Sequence, residues 1–113
     1  MINVSVARSC AGDVQALRLH NHGDPVVCAA VSALVLNAVN SIDALTDERF
    51  TCNYNEQGGF LEIEFQNEAG KLGRDARLLT ESLMLGLRSI AQEYPGDISI
   101  TAVPLDTNKE ATP

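Results

Sequence analysis

The chain has 113 residues, 45% of them hydrophobic, enough to fold as one domain around one core. It has no Trp and only 4% aromatic residues, so Val, Leu, Ile and Ala must build that core. The net charge of −7 argues against direct binding of nucleic acid, whose phosphates it would repel, and favours a basic protein or peptide as partner.

Ile2-Asn3-Val4-Ser5-Val6-Ala7-Arg8 alternates apolar and polar residues, the period of a half-buried strand. Cys10-Ala11-Gly12-Asp13 breaks the alternation as a turn, and Val14 to Leu19 reads as the returning strand of a hairpin. His20-Asn21-His22-Gly23 is a loop. A helix is predicted from Asp24 to about Leu45, because Asp is a good cap and Pro25 suits the first helical position. Thr46-Asp47-Glu48 closes it. Phe50 to Tyr54 is a third strand, Gly58-Gly59 a turn, and Phe60-Leu61-Glu62-Ile63-Glu64-Phe65 a strictly alternating fourth strand. After a polar connection, a second helix is predicted from about Asp75 to Tyr94, with Leu78, Leu79, Leu83, Leu85, Leu87, Ile90 and Ala91 on its apolar face. Pro95-Gly96-Asp97 ends it, and Ile98 to Val103 is the last strand. Residues 1–103 therefore read as a single α+β domain, strand-strand-helix-strand-strand-helix-strand, with both helices packed on a sheet. Residues 104–113 read as a polar tail that frays.

From Val26 to Val39 only Ser32 and Asn37 are polar, apart from the thiol of Cys28. A helix apolar all round must be covered all round. The sheet and the second helix cover two sides, and a second copy of the chain is predicted to cover the third, giving a helix-mediated homodimer. The alternative is a monomer with this helix buried between its neighbours. The apolar stretch is too short to span a bilayer, and the start of the chain has no basic-then-apolar signal pattern. Cys10, Cys28 and Cys52 are odd in number and widely spaced, fitting neither a disulfide framework nor a zinc pair. A reducing cytoplasm, with no membrane contact, is the expected setting.

Cys28 falls at about the fourth residue of the first helix, where unpaired N–H groups and the helix dipole favour negative charge. A thiolate is stabilised in such a place, more so beside a histidine, and His20 and His22 lie just upstream. A histidine within reach would accept the thiol proton and later protonate the leaving amine. Free N–H groups near the cysteine would support the oxyanion of a tetrahedral intermediate. The plainer reading makes Cys28 a small core residue and both histidines exposed loop residues. Ser32 and Asp24 share a helix face with Cys28, one turn to either side. Ser32 would bond near the thiol or to its own backbone, and Asp24 would orient a histidine or merely cap the helix. Cys10, in a turn, and Cys52, in a strand, are not expected to be catalytic. His20, His22 and Cys28 lack a clear fourth partner for a metal, and no phosphate loop, dinucleotide turn or serine elbow is present.

The helix Val26-Val27-Cys28-Ala29-Ala30-Val31-Ser32-Ala33-Leu34 resembles the nucleophile helix of the bacterial ribosomal-processing cysteine proteases. Asn40-Ser41-Ile42-Asp43-Ala44-Leu45, Gly58-Gly59-Phe60-Leu61 and Leu85-Gly86-Leu87-Arg88-Ser89-Ile90-Ala91-Gln92-Glu93-Tyr94-Pro95 extend the resemblance, in order, over most of residues 1–103. It implies a small cytoplasmic homodimer without cofactor that removes a short N-terminal extension from the twenty-seventh protein of the large ribosomal subunit. It makes Cys28 the nucleophile and matches Ser32 to a serine one turn further along the helix. The family pattern has Gly-His-Ala at the end of the second strand, then a loop, then Gly-x-Asp-x-Val-Cys. This chain has a shorter segment, Leu19-His20-Asn21-His22-Gly23-Asp24-Pro25-Val26-Val27-Cys28, with Pro25 where the family has Asp. At the strand end His20 fits best as the general base, with His22 as the alternative. The short His-to-Cys loop also raises a competing reading, a non-catalytic dimer that binds ribosomal protein without cutting it. A third is a purely structural dimer with Cys28 inert.

Overall fold

The computed structural model of the chain describes residues 1–67 and 69–105. The alternating segments form strands β1 (Ile2–Arg8), β2 (Val14–His20), β3 (Phe50–Tyr54), β4 (Phe60–Phe65) and β5 (Ile98–Val103), in one sheet ordered β3-β4-β2-β1-β5. Neighbours pair antiparallel except β5, which runs parallel to β1. The register sets Val4 beside Leu19 and Ile100, and Leu17 beside Ile63. Successive side chains point to opposite faces, so this register gathers the apolar positions on one face. Helices α1 (Pro25–Leu45) and α2 (Arg74–Glu93) cover that face, and their buried residues join the strands in one core. The other face presents Asn3, Ser5, Arg18 and His20.

α1 commits one stripe to the core: Val27, Val31, Val35, Ala38 and Ile42. Its apolar composition gave no hint of which stripe that would be. The helix has 21 residues, beyond the apolar stretch noted above, and by length and composition alone it could cross a bilayer. Its buried stripe packs with Leu17, Ile63 and Leu87 instead, as a core helix does. Val26, Ala30, Ala33 and Asn37 lie exposed on the opposite side.

α2 buries Ala76, Thr80, Leu83, Met84 and Leu87. Two residues assigned above to its apolar face, Leu78 and Leu85, instead stand in solvent, 67% and 62% exposed. The core stripe passes through Met84 rather than Leu85. Between the helices the fit is close: a Cβ on Gly86 would lie 2.9 Å from Leu34 Cδ1.

A buried carboxylate ties the β1–β2 turn to the start of α2. Asp13 accepts hydrogen bonds from Leu72 N at 2.8 Å and from Arg77 Nε at 2.8 Å. These bonds, that of Arg77 above all, hold its carboxyl below the usual carboxylate range, and the same hydrogen bond, with the carboxylate's charge, holds the Arg77 guanidinium above its usual value. After β5, Pro104 and Leu105 are described; the rest of the expected tail, residues 106–113, lies outside the described residues.

Candidate active site

The first turn of α1 is built as its residues suggest. Asp24 Oδ1 accepts from Val26 N at 2.9 Å and from Val27 N at 3.4 Å, and Asp24 O accepts from Cys28 N at 2.8 Å. Asp24 therefore caps the helix, and its carboxylate takes up two of the N–H groups expected to be free for an oxyanion. Cys28 follows as the fourth helical residue, half-buried.

Side chains on a helix lean toward its N-terminus, and this tilt aims the Cys28 sulfur at Gly23. Gly23 N donates to Cys28 Sγ at 3.2 Å, and the sulfur lies 3.6 Å from Gly23 O. The same backbone unit thus suits both forms of the group. A thiol can donate to the carbonyl, and a thiolate can accept from the N–H. The space beside Gly23 is tight: a Cβ would stand 3.0 Å from Asp97 O and 3.3 Å from Ile2 Cγ1, so any side chain here must push its neighbours back.

β2 ends at His20, and the chain turns at Asn21, whose φ is 70°. Asn tolerates this left-handed conformation far better than most residues other than Gly. Asn21 N donates to Gly59 O at 2.9 Å, which fixes the turn against the β3–β4 hairpin. His22 comes next, with its carbonyl accepting from the Met1 ammonium at 3.0 Å. Its imidazole lies over Gly58-Gly59. A Cβ at Gly59 would meet His22 Nε2 at 2.9 Å, and one at Gly58 would meet Cε1 at 3.1 Å.

His22 and Cys28 line one cleft of about 570 Å³, between the N-terminal half of α1 and the β3–β4 hairpin, and Ser32, Leu36, Tyr54 and Glu56 also line it. Of the two candidate histidines, His20 is not in it. Strand alternation puts His20 on the sheet face away from α1, level with Phe60, and the two rings are 5.5 Å apart between centroids. A larger cleft of about 790 Å³ crosses that open face past Arg18, Arg49 and Asn67, but neither a cysteine nor a histidine lines it.

All three cysteines are free. Cys10 is exposed in the β1–β2 turn, while burial on β3 pushes the Cys52 thiol up, away from ionisation. Among the described residues no group of three His, Cys, Asp or Glu is placed to hold a metal ion. Of the residues singled out from the sequence, the fold brings Cys28, Ser32 and His22 to one cleft, keeps Asp24 at the helix cap and leaves His20 on the other face. Sequence reasoning read Gly58-Gly59 as a turn and missed that the pair is also the bed of an imidazole.

A family model described as "Cysteine protease Prp" matches residues 1–99. The ribosomal processing cysteine protease Prp of Staphylococcus aureus strain Mu50 is 29% identical over 106 residues, which cover 88% of this chain and 97% of that protein. The protein of the same name from Bacillus subtilis strain 168 is 32% identical over 81 residues, covering 71% of this chain and 72% of the relative. Among solved structures, the S. aureus ribosomal processing protease Prp with a covalently linked product peptide superposes with a TM-score of 0.84 at 29% identity. That match covers 91% of this chain and 100% of the other.

Proposed function

The chain belongs to the cysteine protease Prp family, and we propose that it uses Cys28 and His22 as a dyad to remove the N-terminal extension of the twenty-seventh large-subunit ribosomal protein. In this reading the imidazole takes the thiol proton, and the Cys28 sulfur attacks the scissile carbonyl. The tetrahedral intermediate collapses to a thioester as His22 gives its proton to the departing amine. Water, deprotonated by the same imidazole, then releases the acid product and the free thiol. Gly23 N–H, already bonded to the sulfur, supports its anionic form.

The observation that carries this reading is the shared cleft: the one histidine on the nucleophile's side of the sheet lines it with Cys28. The choice of substrate draws support from the net charge of −7, which attracts a basic ribosomal protein, and from relatives named for ribosomal processing. The same reading takes the chain as cytoplasmic, free of nucleic acid and cofactor, and homodimeric. The exposed stripe Val26, Ala30, Ala33 and Asn37 of α1 offers the face for a second copy.

One feature favours a second reading, binding without cleavage. Only Gly23–Val27 separates His22 from Cys28, and so short a segment cannot fold far over a peptide. A synthetic peptide spanning the junction between the extension and the mature ribosomal protein decides between the two. Cleavage at the junction by this chain, absent for Cys28→Ala, is the expected result. Binding of the peptide with no cleavage establishes the second reading.

A further inference from the structure

The cleft opens beside a sheet edge. β3 is the outermost strand, paired to β4 on one side only. Its register shows which backbone groups remain. Asn55 N donates to Phe60 O at 3.1 Å at one end of the ladder, and Gln66 N donates to Arg49 O at 2.8 Å at the other. In an antiparallel pair the bonded positions alternate. Residues 49, 51, 53 and 55 therefore turn their N–H and C=O groups toward β4, and Phe50, Cys52 and Tyr54 turn theirs outward. Among the described residues no backbone hydrogen bond reaches this outer edge.

Such an edge is a template for another strand. It is not blunted here, for β3 contains no Pro, Lys or Arg. It also leads into the nucleophile's cleft. Tyr54 and Asn55, at its end, line the cleft together with Cys28 and His22, and Tyr54 is 63% exposed. A polypeptide that presents a main-chain carbonyl to Cys28 must be extended on at least one side of that carbonyl. On the hairpin wall of the cleft, Tyr54 is the β3 residue whose main-chain groups turn away from the β4 ladder.

We propose that the outer edge of β3 is the docking strand for the substrate, pairing main chain to main chain with an extended peptide at Tyr54 and Cys52 and so leading it to Cys28. The inference rests on the protease reading for its occupant, but it concerns binding alone. Main-chain pairing accepts any sequence that can lie extended, so side-chain selectivity falls to the cleft itself. It also requires that every second peptide N–H on the paired side be engaged and the others be free.

The test uses the Cys28→Ala chain, the junction peptide with a fluorophore, and a set of the same peptide N-methylated at one backbone nitrogen at a time. Affinity is read by fluorescence anisotropy. Methylation of alternate nitrogens should weaken binding about 2- to 12-fold, the worth of one lost hydrogen bond, and methylation of the intervening ones much less. A second comparison works from the protein side. Tyr54→Pro and Tyr54→Ala both lose the side chain, but only the proline loses the outward N–H, and the β4 ladder survives in both. Tyr54→Pro should bind the unmethylated peptide several-fold more weakly than Tyr54→Ala. Affinity indifferent to methylation, or without the two-residue period, overturns the proposal whether or not the proline chain folds. Cleavage by the unsubstituted chain, run in parallel, separates the two claims. A two-residue period without cleavage keeps the docking strand and removes the protease reading; cleavage without the period does the reverse.

Discussion

Two glycines decide where an imidazole can lie. Gly58 and Gly59 have φ of +87° and +86°, and the His22 ring occupies the space their side chains would fill. Gly59→Ala should therefore act twice. The backbone conformation costs about 1–2 kcal/mol for a residue with a Cβ, and the ring must swing off its bed. The expected outcome is a chain that still folds but whose kcat for the junction peptide falls at least about 10-fold. A shifted His22 Cε1–H resonance would report the displaced ring. The helix start offers a separate test. Asp24→Ala removes the cap at Val26 and Val27 and should lower stability by about 0.5–2 kcal/mol, read by thermal or urea unfolding. Cys28 and its place in the first turn were legible, because Asp-Pro before an apolar run marks a helix start. Which histidine shares the cleft with Cys28 was not: strand alternation turns His20 to the far face, while the left-handed turn at Asn21, φ 70°, leads into His22 on the cleft side, and that angle is not written in the letters.

At the scale of elements, every strand and helix was legible from alternation and caps, because the strands are half-buried and keep a two-residue period. The faces of the helices were less so. α1 is apolar on all sides, and only tertiary packing distinguishes its Val27–Ile42 stripe from the rest. The Asp13–Arg77 link was invisible, since its partners lie 64 residues apart and nothing local marks them. That link predicts a pH dependence. In the folded chain Arg77 and Leu72 N hold the Asp13 carboxyl below its ordinary value of about 3.9. The folded state therefore binds that proton less readily than the unfolded state. The stability Asp13 contributes is complete above the ordinary value and is lost as pH falls through the lower, folded one. Unfolding midpoints in urea across the acid range should drop steeply for the natural chain and more gently for Asp13→Asn. Arg77→Met leaves the carboxylate buried without its cation and should destabilise the chain at neutral pH.

For the whole molecule the open question is what covers the outer side of α1. Val26 is 74% exposed on that side, and Ala30, Ala33 and Asn37 are exposed along the same stripe, in a helix with few polar residues to face water. A second copy seated there buries this surface, and α1 of each copy then serves its own core on one side and the partner on the other. Ala33→Arg, on the exposed stripe and outside the cleft, should convert a dimer to a monomer in sedimentation velocity without loss of fold. A natural chain that already sediments as a monomer contradicts the dimer. In the proposed function the acidic charge acts at the same scale: it would draw a basic substrate toward the molecule, and that attraction should weaken as salt rises. The proposed reaction turns on one pair of side chains, His22 just after β2 and Cys28 in the first turn of α1. Its sharpest test is kcat/KM for the junction peptide, measured side by side for His22→Gln and His20→Gln. A Cys28–His22 dyad requires the His22 chain to fall by about 10²–10⁴-fold while the His20 chain stays close to the natural one; equal rates, or the opposite order, contradict it.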